Sequence, residues 1–343
     1  MSKRKISTSD CQVGDILAED VLNSSGLKLI GSNSIITDYI KDKLLELNIS
    51  DIMVYEAGLT KNDPNLALKR DYFENVAAIK GILNRLSSGA GVNYDKILDL
   101  SDKVYNGIKL SAKLMNCLNE LRDIDEYTYT HSINTAFYVM LIAKWLDFQE
   151  KDIKRAIQCG LLHDVGKLLV PAELLNKNGT LTESEFSLMK KHTLFGYELL
   201  DNSGNIDKIV KQAALLHHER ADGSGYPLSV KANQVGTYAR IVAVADVFDA
   251  MTSDRIYKKR VTPFEAFRMF KTSGVGLFDP IILNKFLSNI ASFYTGMKVQ
   301  LNNEQIAQIV YIPPHDIVNP VIYVNNEYID LASKTSPKIV AML

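Results

Sequence analysis

The chain of 343 residues is 46% apolar and 23% charged, with a formal net charge of −1. Such a composition excludes a disordered chain, and the near balance of charge excludes a global field that gathers nucleic acid. An anionic ligand must therefore be held by a local cluster, within a chain long enough for a large core and more than one domain.

Cys11, Cys117 and Cys159 are scattered and form no CxxC pair, so no disulfide framework is expected and a reducing cytoplasm fits. The basic start MSKRKISTSD leads into no apolar run of the signal-peptide kind. The longest apolar stretch, Ala136 to Leu146, is interrupted by Lys144 and is too short to span a bilayer. The chain reads as cytoplasmic, with neither a membrane nor a nucleic-acid polymer as partner.

Residues 1–58 read as a small mixed α/β module. Val13 to Leu17 and Leu27 to Ile30 read as strands around the Ser24-Ser25-Gly26 turn, Thr37 to Leu47 as a short helix capped by Thr37, and Ile52 to Tyr55 as a closing strand. A docking or dimerisation cap suits this module better than a ligand site. Residues 59–124 read as a helical linker and a candidate homodimer segment. Apolar residues recur there at three- and four-residue steps from Asp71 to Leu86 and from Asp95 to Leu121, with a break at Ser87 to Asn93. Residues 125–293 are helical in pattern almost throughout. Residues 294–343 read as a β appendage, with strand-like alternation at Met297 to Val299, Ile306 to Ile312 and Pro320 to Val324. The expected fold class is mainly α: a helical bundle with a small N-terminal α/β module and a small C-terminal β appendage.

All histidines except His315 lie between His131 and His218. His131 sits early in a helix expected over Thr128 to Leu146. His163 and Asp164 end a helix from Lys151, just before Gly166. His192 lies on the helix that follows Thr182 and Glu185, which form a capping-box pattern. His217 and His218 close a helix from Asp207, and Asp246 lies inside a helix from Thr237 to Thr252. A helical bundle can converge such residues at its centre. Histidine and aspartate are the side chains from which a dinuclear site for iron or manganese is built, and such a site cleaves phosphate esters. Two divalent cations, the carboxylates of Asp164 and Asp246 and a bridging hydroxide leave one net positive charge, which suits a phosphodiester oxygen. Asp164 can bridge the metals with its two oxygens, and the hydroxide is nucleophilic at neutral pH because metals depress the pKa of bound water.

These residues resemble a known family. His163-Asp164-Val165-Gly166-Lys167 is similar to the HDxGK signature of the HD phosphohydrolases, and His217 to Pro227 (HHERADGSGYP) to the HHExxDGxGYP motif of the HD-GYP subfamily. Members of that subfamily are mostly cyclic di-GMP phosphodiesterases. The segments around Tyr127 to Ser132 and Ala245 to Arg255 also resemble it, and the resemblance covers about half of the chain.

The resemblance implies an HD-domain helical bundle. It places His131, His163, Asp164 and Asp246 around one divalent metal and Asp164, His192, His217 and His218 around the other, with Lys167 reaching the hydroxide or the scissile phosphate. It places Arg255 and Lys258 on the substrate's phosphates, where arginine grips bidentately and lysine acts as a compact charge. Gly225, Tyr226 and Pro227 would contact the nucleotide or dock a protein partner such as a GGDEF-type cyclase. Asp249, one turn after Asp246, is a candidate for ligating a metal or orienting a metal-bound histidine. Glu219 and Asp222 read as loop-organising residues.

One departure concerns a third metal. Some members carry a glutamate four residues before the first histidine; here that position is Tyr127, and Glu126 lies about 140° around the helix from His131. The expectation is therefore a two-metal site, with pGpG, GMP or both as products. The rival expectations are hydrolysis of another cyclic dinucleotide at the same metals, and a non-catalytic receptor that docks a partner through the Tyr226 loop.

Overall fold

The structure, a computed structural model, describes residues 3–12, 15, 17–22, 26, 28–30, 36, 38–55, 64–89, 93–107, 127–177, 179–253, 260–333 and 335–343. Its contacts divide it into two compact units, Met1–Ala77 and Ala78–Leu343.

In the first unit, β1 (Lys3–Ser7), β2 (Val21–Leu22), β3 (Lys28–Ile30), α1 (Asp38–Glu46) and β4 (Asp51–Tyr55) precede α2 (Pro64–Ser87), which runs across the division. β1 pairs antiparallel with β4, Ile6 opposite Ile52, and β2 pairs antiparallel with β3. The core of the unit gathers Cys11, Leu17, Val21, Ile36, Leu44, Ile52 and Val54. β4 alternates buried Ile52 and Val54 with more exposed neighbours, the period-2 pattern by which the sequence announces it. β1 carries no such pattern: KRKIS is exposed over its first three residues, so its identity comes from backbone pairing alone. Of the strand expected at 13–17, the described residues show one bridge, Leu17 to Val54. The expected cap Thr37 lies outside them.

The second unit continues through α3 (Tyr94–Gly107), α4 (Tyr127–Trp145), α5 (Glu150–Leu162), a 3₁₀ turn (Val165–Leu169), α6 (Ala172–Leu175), α7 (Glu183–Lys190), α8 (His192–Asn202), α9 (Lys208–Leu216), α10 (Thr237–Thr252), α11 (Pro263–Lys271) and α12 (Pro280–Ile290). The protein is mainly α, as the sequence implies. α4 packs against α5 and α10, and α9 packs against α5, α8 and α10. From Ile133 to Ala143 every side chain of α4 is buried, the pattern of a helix surrounded by others. Tyr138 meets Phe248 of α10 edge-on at 5.1 Å, and Phe248 meets Phe286 of α12 at 5.0 Å.

Glycines set two of the close approaches. A Cβ at Gly160 would lie 2.7 Å from the Ala136 Cα, so α5 can touch the α4 backbone only because that side chain is absent. A Cβ at Gly166 would drive into the His192 carbonyl and the Gly196 amide, which lets the 3₁₀ turn seat against the start of α8. Side chains start several helices: Thr182 and Glu185 complete the expected capping box on α7, Thr262 and Glu265 form another on α11, and Asp207 and Asp279 cap α9 and α12.

β5 (Lys298–Leu301), β6 (Ile306–Tyr311), β7 (Val321–Val324), β8 (Glu327–Asp330) and β9 (Ile339–Met342) form an antiparallel sheet in the order β8-β7-β6-β5-β9. The first three are the strands expected from the sequence; β8 and β9 are additional. β7 turns into β8 at Asn325-Asn326, both at positive φ (50° and 65°), as a two-residue hairpin of type I′ requires. No helix among the described residues is long and apolar enough to cross a membrane.

Candidate metal centre

Five helices and one turn deliver seven side chains to one place. His131 lies one turn into α4, and Asp246 lies within α10. His163 ends α5 and Asp164 starts the 3₁₀ turn. His217 ends α9, with His218 beside it. The structure corrects one detail of the sequence reading: His192 does not continue the capped helix of Thr182. That helix stops at Lys190 and His192 opens α8, where the backbone of Gly166 comes close to the His192 carbonyl and Gly196.

Two groups of ligand atoms form, each with its members within 4.8 Å of one another: His131, His163, Asp164 and Asp246; and Asp164, His192, His217 and His218. Asp164 belongs to both. Its Oδ2 faces His163 Nε2 at 3.2 Å and His131 Nε2 at 3.4 Å, while its Oδ1 faces His192 Nε2 at 3.3 Å and His217 Nε2 at 3.7 Å. Asp246 has the same divided aspect, Oδ1 at 3.1 Å from His131 Nε2 and Oδ2 at 3.9 Å from His218 Nδ1. Lys167 Nζ donates to Asp164 Oδ2.

The imidazoles are oriented from behind. Nδ1 of His163 donates to the Gly160 carbonyl at 2.8 Å, that of His192 to the Met189 carbonyl at 2.8 Å, and that of His217 to the Ala214 carbonyl at 3.0 Å. His131 Nδ1 donates to Asp249 Oδ2 at 2.7 Å, and Ser253 Oγ donates to Asp249 Oδ1 at 3.0 Å. With Nδ1 carrying the proton, Nε2 presents a lone pair. Hence His163 Nε2 has no proton to give Asp164 despite their 3.2 Å separation. Nε2 of His163, His192 and His217 and Oδ1 of Asp164 are all buried without a hydrogen-bond partner among the described residues. Each such atom costs roughly 1–3 kcal/mol if nothing meets it. Four converging acceptors fit a cation.

The ionisation states agree. Burial alone would raise the Asp164 carboxyl, but the Lys167 ammonium beside it holds it well below the usual carboxylate range. Burial pushes the His217 and His218 imidazoles down and His192 down to about 3. Neutral imidazoles around ionised carboxylates are the donor set that divalent iron, manganese or zinc accepts.

The loop after His218 closes one side. Glu219 takes backbone N–H groups of Leu228 (2.6 Å) and Ser229 (3.1 Å) on Oε1 and of Val230 (3.1 Å) on Oε2, and Asp222 Oδ1 accepts from the Ser224 amide and hydroxyl. Both organise the loop, as read from the sequence. A Cβ at Gly225 would collide with the backbone of His218, Glu219 and Arg220. Tyr226 stacks on His218 (centroids 4.7 Å apart, planes 28°), and its peptide to Pro227 is cis. Arg255 and Lys258 lie outside the described residues, as does Glu126. The sequence reading missed the carbonyls of Gly160, Met189 and Ala214, which any residue type can supply. It also missed Gly196, an isolated glycine within a helical pattern and so a weak signal of close packing.

A family model for the HD domain matches residues 117–282. A cyclic di-GMP phosphodiesterase of Pseudomonas aeruginosa is 32% identical over 248 residues, 72% of this chain and 60% of the relative. A cyclic di-GMP phosphodiesterase of Thermotoga maritima is 38% identical over 176 residues, 51% of this chain and 47% of the relative. The chain thus spans only part of the length of both relatives. Among solved structures, an HDG"Y"P protein from Bdellovibrio bacteriovorus superposes with a TM-score of 0.58 at 15% identity, covering 83% of this chain and 98% of that one, a likeness of fold.

Proposed function

We propose, from the premise that this chain belongs to the HD-domain family through residues 117–282, that it is a metal-dependent phosphodiesterase hydrolysing cyclic di-GMP. The observation that carries the reading is Asp164, whose two oxygens face two separate sets of imidazoles. The named activities of the Pseudomonas and Thermotoga relatives support the choice of substrate.

His131, His163, Asp164 and Asp246 hold one divalent cation and Asp164, His192, His217 and His218 a second, iron or manganese. Bound there, the two cations supply Lewis acidity and an activated water. Asp164 stays ionised between the two sites. Lys167 places an ammonium beside Asp164, where it offsets charge that develops on a phosphate oxygen. Arg255 and Lys258 take the substrate's phosphates. Tyr226, set by Gly225 and Pro227, walls the cleft over His218. Hydrolysis adds water across a P–O3′ bond, and the leaving oxygen takes its proton from solvent. Tyr127, in place of an acid one turn before His131, supports two metals rather than three. A homodimer, a partner protein at the Tyr226 loop and a cytoplasmic location complete the reading.

The test is product chromatography. Protein purified without oxygen is incubated with cyclic di-GMP and ferrous iron or manganese. The expected outcome is pGpG or GMP, lost in the His163→Ala, Asp164→Ala double variant. Saturable binding without product would instead make the chain a receptor, and product formed by the double variant would remove the site.

A further inference from the structure

α7 is an unusual helix for a folded protein: none of its residues is buried. It is nonetheless anchored. Its capping box closes its start, Lys177 Nζ grips Glu185 at 2.5 and 2.6 Å, and its Met189 carbonyl holds His192 Nδ1. On this anchored helix, whose inner face at Leu188 and Met189 is only half-buried, the large aromatic Phe186 is 47% exposed.

Phe186 is the outermost of a run of rings that leads from the metal ligands to solvent. His217 and His218 have centroids 4.1 Å apart, His218 and Tyr226 4.7 Å, and Tyr226 and Phe186 6.2 Å at 80°. Lys190, one turn after Phe186, places Nζ 5.1 Å from the Phe186 centroid and 6.0 Å from that of Tyr226. No carboxylate pairs with Lys190 among the described residues, whereas Lys177 and Lys211 are paired with Glu185 and Asp201.

We infer that Phe186 and Lys190 form a base-binding subsite for the purine of the substrate, with Phe186 as the stacking surface and Lys190 as the reader of guanine. This rests on the cyclic di-GMP reading above. An exposed ring gives any base a π-face to stack on. A lysine donor distinguishes the purines: guanine presents O6 and N7, both acceptors, while adenine presents N7 beside an N6 amino donor that the ammonium repels. The two residues therefore have separable effects, one blind to the base and one selective for it.

The experiment measures steady-state kinetics of the manganese-loaded full chain on cyclic di-GMP and cyclic di-AMP, with metal content recorded for each variant. Phe186→Ala should raise KM for both dinucleotides about tenfold, within the range of base stacking, and leave kcat and metal content unchanged. Phe186→Trp should restore KM. Lys190→Ala should lower kcat/KM for the guanine substrate about tenfold, the order of one good base contact, and leave the adenine substrate unaffected. An unchanged KM in Phe186→Ala, or a fall in kcat with loss of metal, would overturn the stacking role. An equal loss on both substrates in Lys190→Ala would overturn guanine reading and make Lys190 a charge for phosphate. If the wild-type protein turns over neither dinucleotide, the phosphodiesterase reading fails by itself. Equilibrium binding of GMP and AMP to the same proteins then decides the subsite: GMP preference lost in Lys190→Ala upholds it, and equal binding throughout overturns it.

Discussion

Asp249 accepts the Nδ1 proton of His131 at 2.7 Å while its other oxygen takes the Ser253 hydroxyl, so a fully buried carboxylate sets the tautomer of an imidazole that faces Asp164 and Asp246. The other three backed imidazoles use carbonyls, which are neutral acceptors. His131 is thus the imidazole of this cluster whose basicity is raised by a charge. Asp249→Asn keeps an acceptor and removes the charge; Asp249→Ala removes both. Metal affinity should fall roughly 10- to 100-fold in the alanine variant and less in the asparagine variant, as read by competition with a chromogenic chelator. Equal affinity in all three proteins would mean that Asp249 serves packing alone.

The joint between the 3₁₀ turn and α8 depends on Gly166. A methyl group there meets the His192 carbonyl and the Gly196 amide, backbone atoms that cannot swing aside. Gly166→Ala should destabilise the protein by about 3 kcal/mol, the upper part of the range for overpacking, and displace His192 with it. Gly81→Ala, in a helix where an added Cβ meets nothing within 4 Å, should instead stabilise by roughly 0.5–1 kcal/mol. Urea unfolding of the two variants gives opposite signs if the close approach is real.

The half of the chain that carries the histidine cluster was legible because metal-binding chemistry demands particular side chains. His131, His163, Asp164, His192, His217, His218 and Asp246 are chosen by what they can donate, and all seven converge. The bundle was legible because α5 and α9 carry a buried stripe and α4 has a long apolar run from Ala136 to Ala143. What escaped reading lacks a side-chain signature. β1 is a charged strand defined by its partner, β8 follows from a hairpin at two asparagines, and β9 pairs back to β5 across a long separation. The break between α7 and α8 at Lys191 has no breaker residue to announce it. Phe186 and Lys190 look like an ordinary solvated face until Tyr226 is placed beside them.

Metal should act as a structural ligand as well as a chemical one. The buried Nε2 atoms of His163, His192 and His217 and Oδ1 of Asp164 have no hydrogen-bond partner among the described residues, so whatever fills the centre binds the folded state and not the unfolded one. Saturating manganese at about 100 times Kd should add about 2.7 kcal/mol, seen as a rise in Tm that a chelator reverses. Asp164→Ala removes the carboxylate that both sets of imidazoles share; it should abolish turnover and show no manganese-dependent rise. A normal rise in that variant would place the metals elsewhere.

Glu219 ties the loop that carries Tyr226. Its carboxylate is nearly buried and takes three consecutive backbone N–H groups, from Leu228, Ser229 and Val230. Glu219→Ala leaves those donors to find water and should cost about 2–3 kcal/mol, the scale of hydrogen bonds to a charged group. Because His217 is held by α9 and the Ala213 and Ala214 carbonyls rather than by Glu219, metal content should survive. The loss should appear instead as faster amide exchange at 228–230 and a higher KM, since Tyr226 is no longer pressed onto His218. Glu219→Gln, which keeps one carbonyl oxygen, should fall between the two. If metal is lost in step with the loop, Glu219 supports the centre itself, and the histidine scaffold and the cleft wall are not separate.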